Sequence, residues 1–215
     1  MTSISKLQKF AELSSNPIVF EKKPVVKGRW NTDFFKNENP IVLELACGKG
    51  DYTLGMANLF PDKNFIGVDI KGNRIWSAAR IADLENLQNV GFIRDQIDHI
   101  DDYFEQGEVE EIWITFSDPF LRDGDAKRRL TSKKFLPLYK NILKKDGFIH
   151  LKTDSDLLYN FTKEMLQELP SVILKDYGDV YAMNKNEELH GIQTYYEKMH
   201  LKDNRTIKYL CFRFL

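Results

Sequence analysis

Four acidic side chains lie within or just after hydrophobic segments that predict buried β-strands. Glu44 lies inside IVLEL, Asp69 ends NFIGVD, Asp95 follows VGFIR, and Asp118 follows EEIWITFS. Carboxylates accept hydrogen bonds from hydroxyl and amino groups, and they stabilise developing positive charge. Ligands of open α/β sheets bind beyond the carboxyl ends of the strands, so we expect these side chains to surround one site.

The segment LACGKGD predicts a sharp turn between the first strand and a helix. Gly48 and Gly50 lack a Cβ, so the backbone can approach a ligand closely there. Thr53 stands where a dinucleotide-binding loop has its third glycine, and the Gly-Lys-Ser/Thr sequence of a phosphate-binding loop does not follow. The pattern therefore favours a ligand without phosphates, such as S-adenosylmethionine (SAM), over NAD. Asp69 is spaced to accept hydrogen bonds from both ribose hydroxyls.

A basic segment follows Asp118. Pro119 restrains the turn after this aspartate, and residues 122–134 then carry six cations and two acids in a chain whose net charge is −1. A local positive patch beside a reaction site indicates a nucleic-acid substrate. The six cations are Arg122, Lys127, Arg128, Arg129, Lys133 and Lys134, and the two acids are Asp123 and Asp125.

Three features allow two interpretations each. Asp95 either accepts a hydrogen bond from the adenine amino group or is an ordinary loop aspartate. The spacing of Asp154 favours a helix N-cap over a ligand contact. The basic segment from Glu21 to Trp30 is either a solvated arm or an RNA-contacting arm.

Composition limits the class of protein. With 215 residues and 42% hydrophobic content, we expect a single domain over residues 1–215, with residues 1–37 forming a helical and basic arm that leads into the core. No apolar run is long enough to span a bilayer. Cys47 and Cys211 are expected to be reduced thiols in a cytoplasmic protein. The four histidines show no metal-ligand spacing, so no metal is expected.

The hydrophobic periodicity predicts an α/β fold of the Rossmann type, with a mostly parallel seven-stranded sheet, a final antiparallel strand, and helices on both faces. The predicted strands begin at Ile41, Asn64, Val90, Glu110, Phe148, Val172 and Thr206. The predicted helices cover Ser3–Leu13, Asn31–Asn37, Tyr52–Phe60, Lys71–Glu85, Ser132–Leu143 and Asp156–Leu169.

The chain resembles the bacterial tRNA (guanine-N7)-methyltransferase family, a group of class I SAM-dependent methyltransferases. The motifs that carry the resemblance are ELACGKG, GVDIKGNR, FSDPF followed six residues later by KRRL, LKTD, and TYYE. The resemblance implies SAM contacts at Glu44, Asp69, Asp95 and Asp118. It also implies tRNA or guanine contacts at Arg122, Asp154, Thr194, Tyr195, Tyr196 and Glu197, and it matches Lys127, Arg128 and Arg129 to the basic run of the family.

The sequence departs from the family pattern at several of these positions. The usual Phe-Pro-Asp-Pro-Trp turn has Ser117 in place of its first proline and Phe120 in place of its tryptophan. Arg122 replaces a lysine, and Tyr195-Tyr196 replaces a basic residue followed by phenylalanine. These changes keep the carboxylates on which the reaction class depends.

The implied reaction is displacement at the sulfonium methyl group by guanine N7, in the variable loop of tRNA. N7 carries a lone pair and no proton, so alignment matters more than a general base. Asp118 is the candidate to stabilise the positive charge that develops on the purine, and Asp154 or Glu197 to accept hydrogen bonds from the guanine edge. Two alternatives are a SAM-dependent enzyme for a small molecule and a non-catalytic tRNA-binding module. A monomer and a homodimer are both compatible with the sequence.

Overall fold

A computed structural model describes residues 4–21, 26–182 and 191–215, and it contains an eight-stranded sheet with the order β1-β4-β3-β2-β5-β6-β8-β7. The strands are β1 (Val19–Glu21), β2 (Ile41–Leu45), β3 (Asn64–Val68), β4 (Val90–Arg94), β5 (Val109–Thr115), β6 (Leu143–Thr153), β7 (Ser171–Tyr177) and β8 (Lys208–Phe214). β8 runs antiparallel to both of its neighbours, β6 and β7, and the other pairings are parallel.

Helices connect the strands and cover the sheet. They are α1 (Lys6–Ser15), α2 (Asp51–Leu59), α3 (Gly72–Leu84), α4 (Ile100–Tyr103), α5 (Leu136–Ile142), α6 (Asp156–Gln167) and α7 (Tyr195–Lys202). Short 3₁₀ segments lie at Ile97–His99 and Asp123–Arg128, and Trp30–Phe35 forms a π-helix. Two clusters of buried apolar side chains lie on opposite faces of the sheet, so the central strands are covered on both sides.

The predicted α/β architecture and the final antiparallel strand are confirmed, and the structure adds an eighth strand, β1, that pairs with β4. The segment Lys144–Gly147, which we expected to end a helix, lies inside β6. Its pairing with β5 includes a register irregularity between Val109 and Glu111, and the Nζ of Lys144 contacts the carboxylate of Glu110. The helix before β6 begins at Leu136 rather than Ser132.

The described part of the N-terminal basic segment packs against the amino-terminal edge of the sheet. Trp30 is fully buried and stacks on Phe104, and the backbone N–H of Gly28 donates to Glu108, just before β5. Lys27 donates to the carbonyl of Asp101. Lys27 and Arg29 are exposed, so the RNA-contacting interpretation of this segment remains a prediction; residues 22–25 lie outside the described residues.

The order in which the chain visits the strands indicates where a ligand binds. After β2 the chain moves outward through β3 and β4, and it then crosses to β5 on the other side of β2. The gap between the carboxyl ends of β2 and β5 is therefore the switch point of the sheet, where open α/β folds bind ligands. Within residues 4–21, 26–182 and 191–215, no helix has the length and apolar character needed to cross a bilayer.

Candidate active site

A cleft of about 480 Å³ opens at this switch point. Six of the predicted site residues line it: Glu44, Gly48, Asp118, Thr194, Tyr195 and Tyr196. Lys49, Asp51, Arg74 and Ser117 line it as well and were not predicted. The cleft thus combines the ends of β2 and β5 with the start of α7.

The glycine turn adopts the geometry that the sequence predicts. Gly48 and Gly50 have φ angles of 60° and 75°, in the left-handed region that glycine tolerates. A Cβ on Gly48 would meet no atom within 4 Å, whereas one on Gly50 would lie 2.9 Å from Ala78. Gly48 therefore leaves room on the ligand side of the turn, and Gly50 permits close packing of α3.

Asp69 is held in place by backbone donors. Its Oδ2 accepts from the N–H of Gly48 at 3.0 Å, and its Oδ1 accepts from the N–H of Lys71 at 2.7 Å. Arg74 lies 3.8 Å from the same carboxylate. The fixed orientation leaves further lone pairs on both oxygens for the hydroxyls of a ribose.

Glu44 is buried below the turn and is hydrogen-bonded by two threonines. Thr53 donates to Oε2 through its backbone N–H at 2.9 Å and through its hydroxyl, and the hydroxyl of Thr115 donates to Oε1 at 2.6 Å. Burial outweighs these bonds and raises the pKa of Glu44 to about 7. Because this pKa is close to neutral pH, a charged ligand in the cleft would change the fraction of Glu44 that is ionised.

Asp95 lies at the end of β4, outside the cleft. It accepts from the N–H of Gln96 at 2.7 Å and from the hydroxyl of Tyr103 at 2.8 Å, and His99 lies 3.1 Å away. Burial opposes the charged form, but these hydrogen bonds lower the pKa of Asp95 below its usual range. Its predicted adenine contact remains a prediction.

Asp118 is exposed on a strained turn that follows β5. Its Oδ1 accepts from the N–H of Phe120 at 2.9 Å. Phe116 and Phe120 have φ angles of 48° and 43°, which non-glycine residues adopt only when the surroundings require it. Ser117 and Asp118 of this turn both line the cleft.

Arg129 provides much of this support. It is only 4% exposed, and its guanidinium donates to the carbonyls of Pro119 and Phe120, each at 2.9 Å, while packing on the ring of Phe161. We predicted that Arg129 contacts tRNA phosphates together with Lys127 and Arg128. Its burial and its two carbonyl partners remove it from the exposed patch and make it a part of the Asp118 turn.

The five remaining cations of this segment are all exposed. Arg128 lies 4.3 Å from the Phe120 ring and 3.3 Å from Asp125, and Lys133 and Lys134 form ion pairs with Glu168 and Asp98. Three of the five cations thus have an acidic partner, which lowers the net positive charge of the patch.

The start of α7 forms the outer wall of the cleft. Thr194 caps the helix by accepting from the N–H of Glu197 at 3.1 Å. The N–H of Tyr195 donates to Asp51 at the start of α2. The rings of Tyr195 and Tyr196 are exposed and meet edge to face with centroids 5.6 Å apart. Exposed aromatic rings at the mouth of a cleft are suited to contact a nucleobase.

Glu197 lies at the base of this wall instead of in the cleft. It is fully buried and pairs with Lys152 of β6 at 2.7 Å, and the hydroxyl of Tyr181 donates to the same oxygen at 2.8 Å. Burial, only partly offset by Glu197, lowers the pKa of Lys152. The Oε1 of Glu197 thus ties α7 to β6, its Oε2 has no hydrogen-bond partner among the described residues, and its predicted guanine contact remains a prediction.

Asp154 follows β6 and is mostly buried. The N-cap of α6 is Ser155, which accepts from the N–H of Leu158, so the cap predicted at Asp154 is wrong by one residue. Arg205 donates to Oδ2 of Asp154 at 2.7 Å, and His200 lies 3.5 Å from the same atom. Asp154 thus lies at the strand end next to Asp118, with one oxygen held by a cation.

The residues of the cleft fit a SAM molecule. Glu44, Asp51 and Asp118 line the cleft and Asp69 lies beside it at the end of β3, and these four carboxylates suit the ribose and the positively charged groups of SAM. The hydroxyl of Ser117 is buried in the cleft wall and has no hydrogen-bond partner among the described residues, so it can bond a polar group of the cofactor. The same residues contain no cluster of three or more side chains placed to hold a metal.

The fold and the cleft define a SAM-dependent methyltransferase of the Rossmann type. A family model described as "Putative methyltransferase" matches residues 38–210. A tRNA (guanine-N(7)-)-methyltransferase of Bacteroides fragilis is 46% identical over 97% of this chain and 85% of its own length. One of Christiangramia forsetii is 49% identical over 94% and 88%. The chain belongs to the tRNA (guanine-N7)-methyltransferase family.

Solved structures support the fold alone. A 30S ribosomal methyltransferase from an uncultured bacterium has a TM-score of 0.64 at 19% identity and covers 92% of this chain and 98% of its own. A SAM-dependent methyltransferase from Aquifex aeolicus has a TM-score of 0.58 at 10% identity and covers 99% and 100%. The sheet therefore persists across methyltransferases with very different sequences.

Proposed function

We propose that this protein transfers the methyl group of SAM to N7 of a guanosine in tRNA. The target guanosine lies in the variable loop, and the protein acts in the cytoplasm. The observation that carries the proposal is the Asp118 turn. The turn carries a carboxylate at the end of β5 that lines the cleft, and Arg128 of the basic segment packs on Phe120 of the same turn. A carboxylate beside a surface that attracts a polyanion suits methyl transfer to a base of a nucleic acid.

The cofactor supplies an activated methyl group when it is bound, and the protein supplies position and charge. Asp69 holds the ribose through a carboxylate that Gly48 and Lys71 orient. Asp95 lies one strand further along the edge and would accept a hydrogen bond from the adenine amino group. Asp118 lies where positive charge develops on the purine, and its negative charge stabilises that charge without further rearrangement.

Guanine is recognised by residues at the end of β6 and at the start of α7. The Oδ1 atom of Asp154 is the oxygen that Arg205 leaves available, and it can accept from the N1–H or the amino group of guanine. Tyr195 and Tyr196 provide aromatic surface at the mouth. Glu197 acts indirectly, because it holds the start of α7 against Lys152.

The test is incubation of the protein with labelled SAM and unmodified bulk tRNA, followed by digestion and identification of the labelled nucleoside. We expect 7-methylguanosine, and mapping of the modified strand should place it in the variable loop. Label in another nucleoside would contradict the N7 assignment. Label in a small molecule of a cell extract, with none in tRNA, would support the alternative of a small-molecule enzyme. Analytical ultracentrifugation of the active protein would distinguish a monomer from a homodimer.

A further inference from the structure

A second cavity, of about 500 Å³, lies between α1 and the carboxyl edge of the sheet. We call it the α1 pocket; its lining residues are Ile4, Lys6, Lys9, Phe10, Ile70, Lys71, Gly72, Asn73 and Arg94. The lining thus contains four cations and no carboxylate. Neither the family motifs nor the methyl-transfer site uses Lys6, Lys9 or Phe10.

The helix that forms the pocket is firmly seated on the core. The indole N–H of Trp76 donates to Glu12 at 2.7 Å, and the amide of Asn16 donates to Asp83 at 3.0 Å. Leu13 is buried between them at 1% exposure. Because α1 is held along its length, the lysines of its first two turns are presented at a defined place.

The cations converge on the pocket without forming a closed network of ion pairs. The guanidinium of Arg94 lies 4.7 Å above the Phe10 ring and also pairs with Glu21. The Nζ of Lys9 lies 4.5 Å from the Trp76 ring, and that of Lys6 lies 6.0 Å from Phe10. Glu21 offsets the charge of Arg94, whereas Lys6 and Lys9 contact aromatic rings and form no ion pair among the described residues, so the pocket keeps a positive potential suited to phosphate groups.

The pocket lies on the opposite side of the cofactor from the Asp118 turn. Ile70 follows β3 and Arg94 ends β4, whereas the exposed cations Lys127 and Arg128 follow β5. Three strand spacings separate β4 from β5 in the sheet order, roughly 15 Å, a distance that a short stretch of one RNA strand can span. A tRNA strand that presents its guanine to the cleft can therefore reach both positive surfaces.

We propose that the α1 pocket binds phosphate groups of the tRNA substrate and forms the second of two contacts that hold the RNA across the cofactor site. This inference rests on the proposed function. Phosphate contacts position the substrate and carry no base readout, so the pocket contributes to affinity and orientation while guanine selectivity stays with the cleft.

The test compares K6Q/K9Q with the control K145Q/K175Q. Both double variants remove two exposed or half-buried positive charges, but Lys145 lies toward the amino-terminal end of β6 and Lys175 lies in β7, away from the pocket. Lys71 is kept, because its backbone positions Asp69. The measurements are tRNA binding across a salt series, steady-state methylation, SAM binding by calorimetry, and thermal unfolding.

We expect K6Q/K9Q to make the slope of log K against log salt shallower by about 1.4–1.8, at 0.7–0.9 per lost phosphate contact, and the control to keep the wild-type slope. The KM for tRNA should rise while kcat and SAM affinity stay within twofold of wild type. Equal slopes in the two variants would overturn the proposal, as would a K6Q/K9Q variant whose main defect is SAM binding. If the wild-type protein forms no 7-methylguanosine in tRNA, the proposed function itself is wrong. If the wild-type protein is active and K6Q/K9Q behaves like it, only the proposed role of the α1 pocket is wrong.

Discussion

The two sides of the carboxyl edge of the sheet are built in different ways. On the cofactor side, at the ends of β4, β3 and β2, the carboxylates of Asp69 and Asp95 are oriented by backbone N–H groups of nearby residues. On the substrate side, at the ends of β5 and β6, charged side chains hold the segments that carry the key residues: Arg129 holds the turn after Asp118, Arg205 pairs with Asp154, and Lys152 holds α7.

This difference separates contacts that many sequences can form from contacts that depend on particular residues of this chain. Backbone donors in a glycine turn can be formed by many sequences, and the same sheet occurs in methyltransferases that share only 10–19% identity with this chain. The side-chain contacts on the substrate side depend on particular charged residues, some of which lie far from their partners in the chain. We therefore expect changes on the cofactor side to act on SAM affinity or stability, and changes on the substrate side to act on rate and on RNA binding.

The largest expected effect is that of Asp118→Asn. Asparagine keeps the hydrogen bond from the N–H of Phe120 but removes the negative charge. The rate of methyl transfer should fall roughly 10²–10³-fold, the range found when one charge-stabilising group is removed from a preorganised site. Single-turnover rates with saturating tRNA and SAM give the value. A decrease in SAM or tRNA affinity of similar size would instead make Asp118 a binding residue.

Glu44→Gln should change how stability depends on pH. The carboxyl has an ordinary pKa of 4.5 and a pKa of about 7 in the folded protein, so between these values the unfolded chain loses a proton that the folded protein keeps. As pH rises from about 4.5 to about 7, the free energy of unfolding of wild type should therefore fall by about 3 kcal/mol relative to that of the glutamine variant. Above this range the difference should stay constant. Urea unfolding of both proteins at pH 5 and pH 8 measures the difference, and parallel pH profiles would contradict it.

Arg129→Lys keeps the positive charge, but its single nitrogen does not reproduce the planar guanidinium, which reaches the carbonyls of Pro119 and Phe120 through two different nitrogens. We expect the loss of one buried hydrogen bond, about 2 kcal/mol, to appear as a lower methyl-transfer rate with an unchanged salt dependence of tRNA binding. The matched variant is Arg128→Gln, which should keep the rate and make the salt slope shallower by about 0.7–0.9. If the two variants change the salt slope equally, Arg129 contacts RNA as well as the turn.

The smallest effect is expected for Ser117→Ala. The hydroxyl has no hydrogen-bond partner among the described residues, so its removal should leave the cofactor-free protein as stable as wild type or slightly more stable. SAM affinity should fall by about 1 kcal/mol, roughly fivefold, if the hydroxyl bonds the cofactor. Calorimetry and thermal unfolding separate the two quantities. A loss of stability without a loss of SAM affinity would assign Ser117 to the fold.

Much of the cofactor side could be predicted from the sequence because its signals are local. The bounds of β4 are those predicted, and the turn at Gly48 and Gly50 follows from residue types alone. β1 was missed because three residues of moderate hydrophobicity carry no periodic signal, and they form a strand only because β4 offers them a free edge. The resemblance to the family added the residues of the cleft that local patterns do not indicate.

The substrate side could be predicted less well, because residue type does not reveal burial. Arg128 and Arg129 are neighbours of the same type, yet one is exposed and the other is almost fully buried. Glu197 was expected to face guanine, and no local pattern indicates that Lys152 of β6 would reach it. Such contacts depend on how distant segments meet after the sheet has formed.

The buried pair of Lys152 and Glu197 also limits the evolutionary paths open to this chain. Removing one partner leaves an uncompensated buried charge, which costs about 3–5 kcal/mol, a large part of the ~5–15 kcal/mol that keeps a domain folded. Replacing both by apolar residues of similar volume is often neutral. A lineage can therefore leave this pair only by two nearly simultaneous substitutions, and across descendants of this sequence the two positions should be inherited as a single unit.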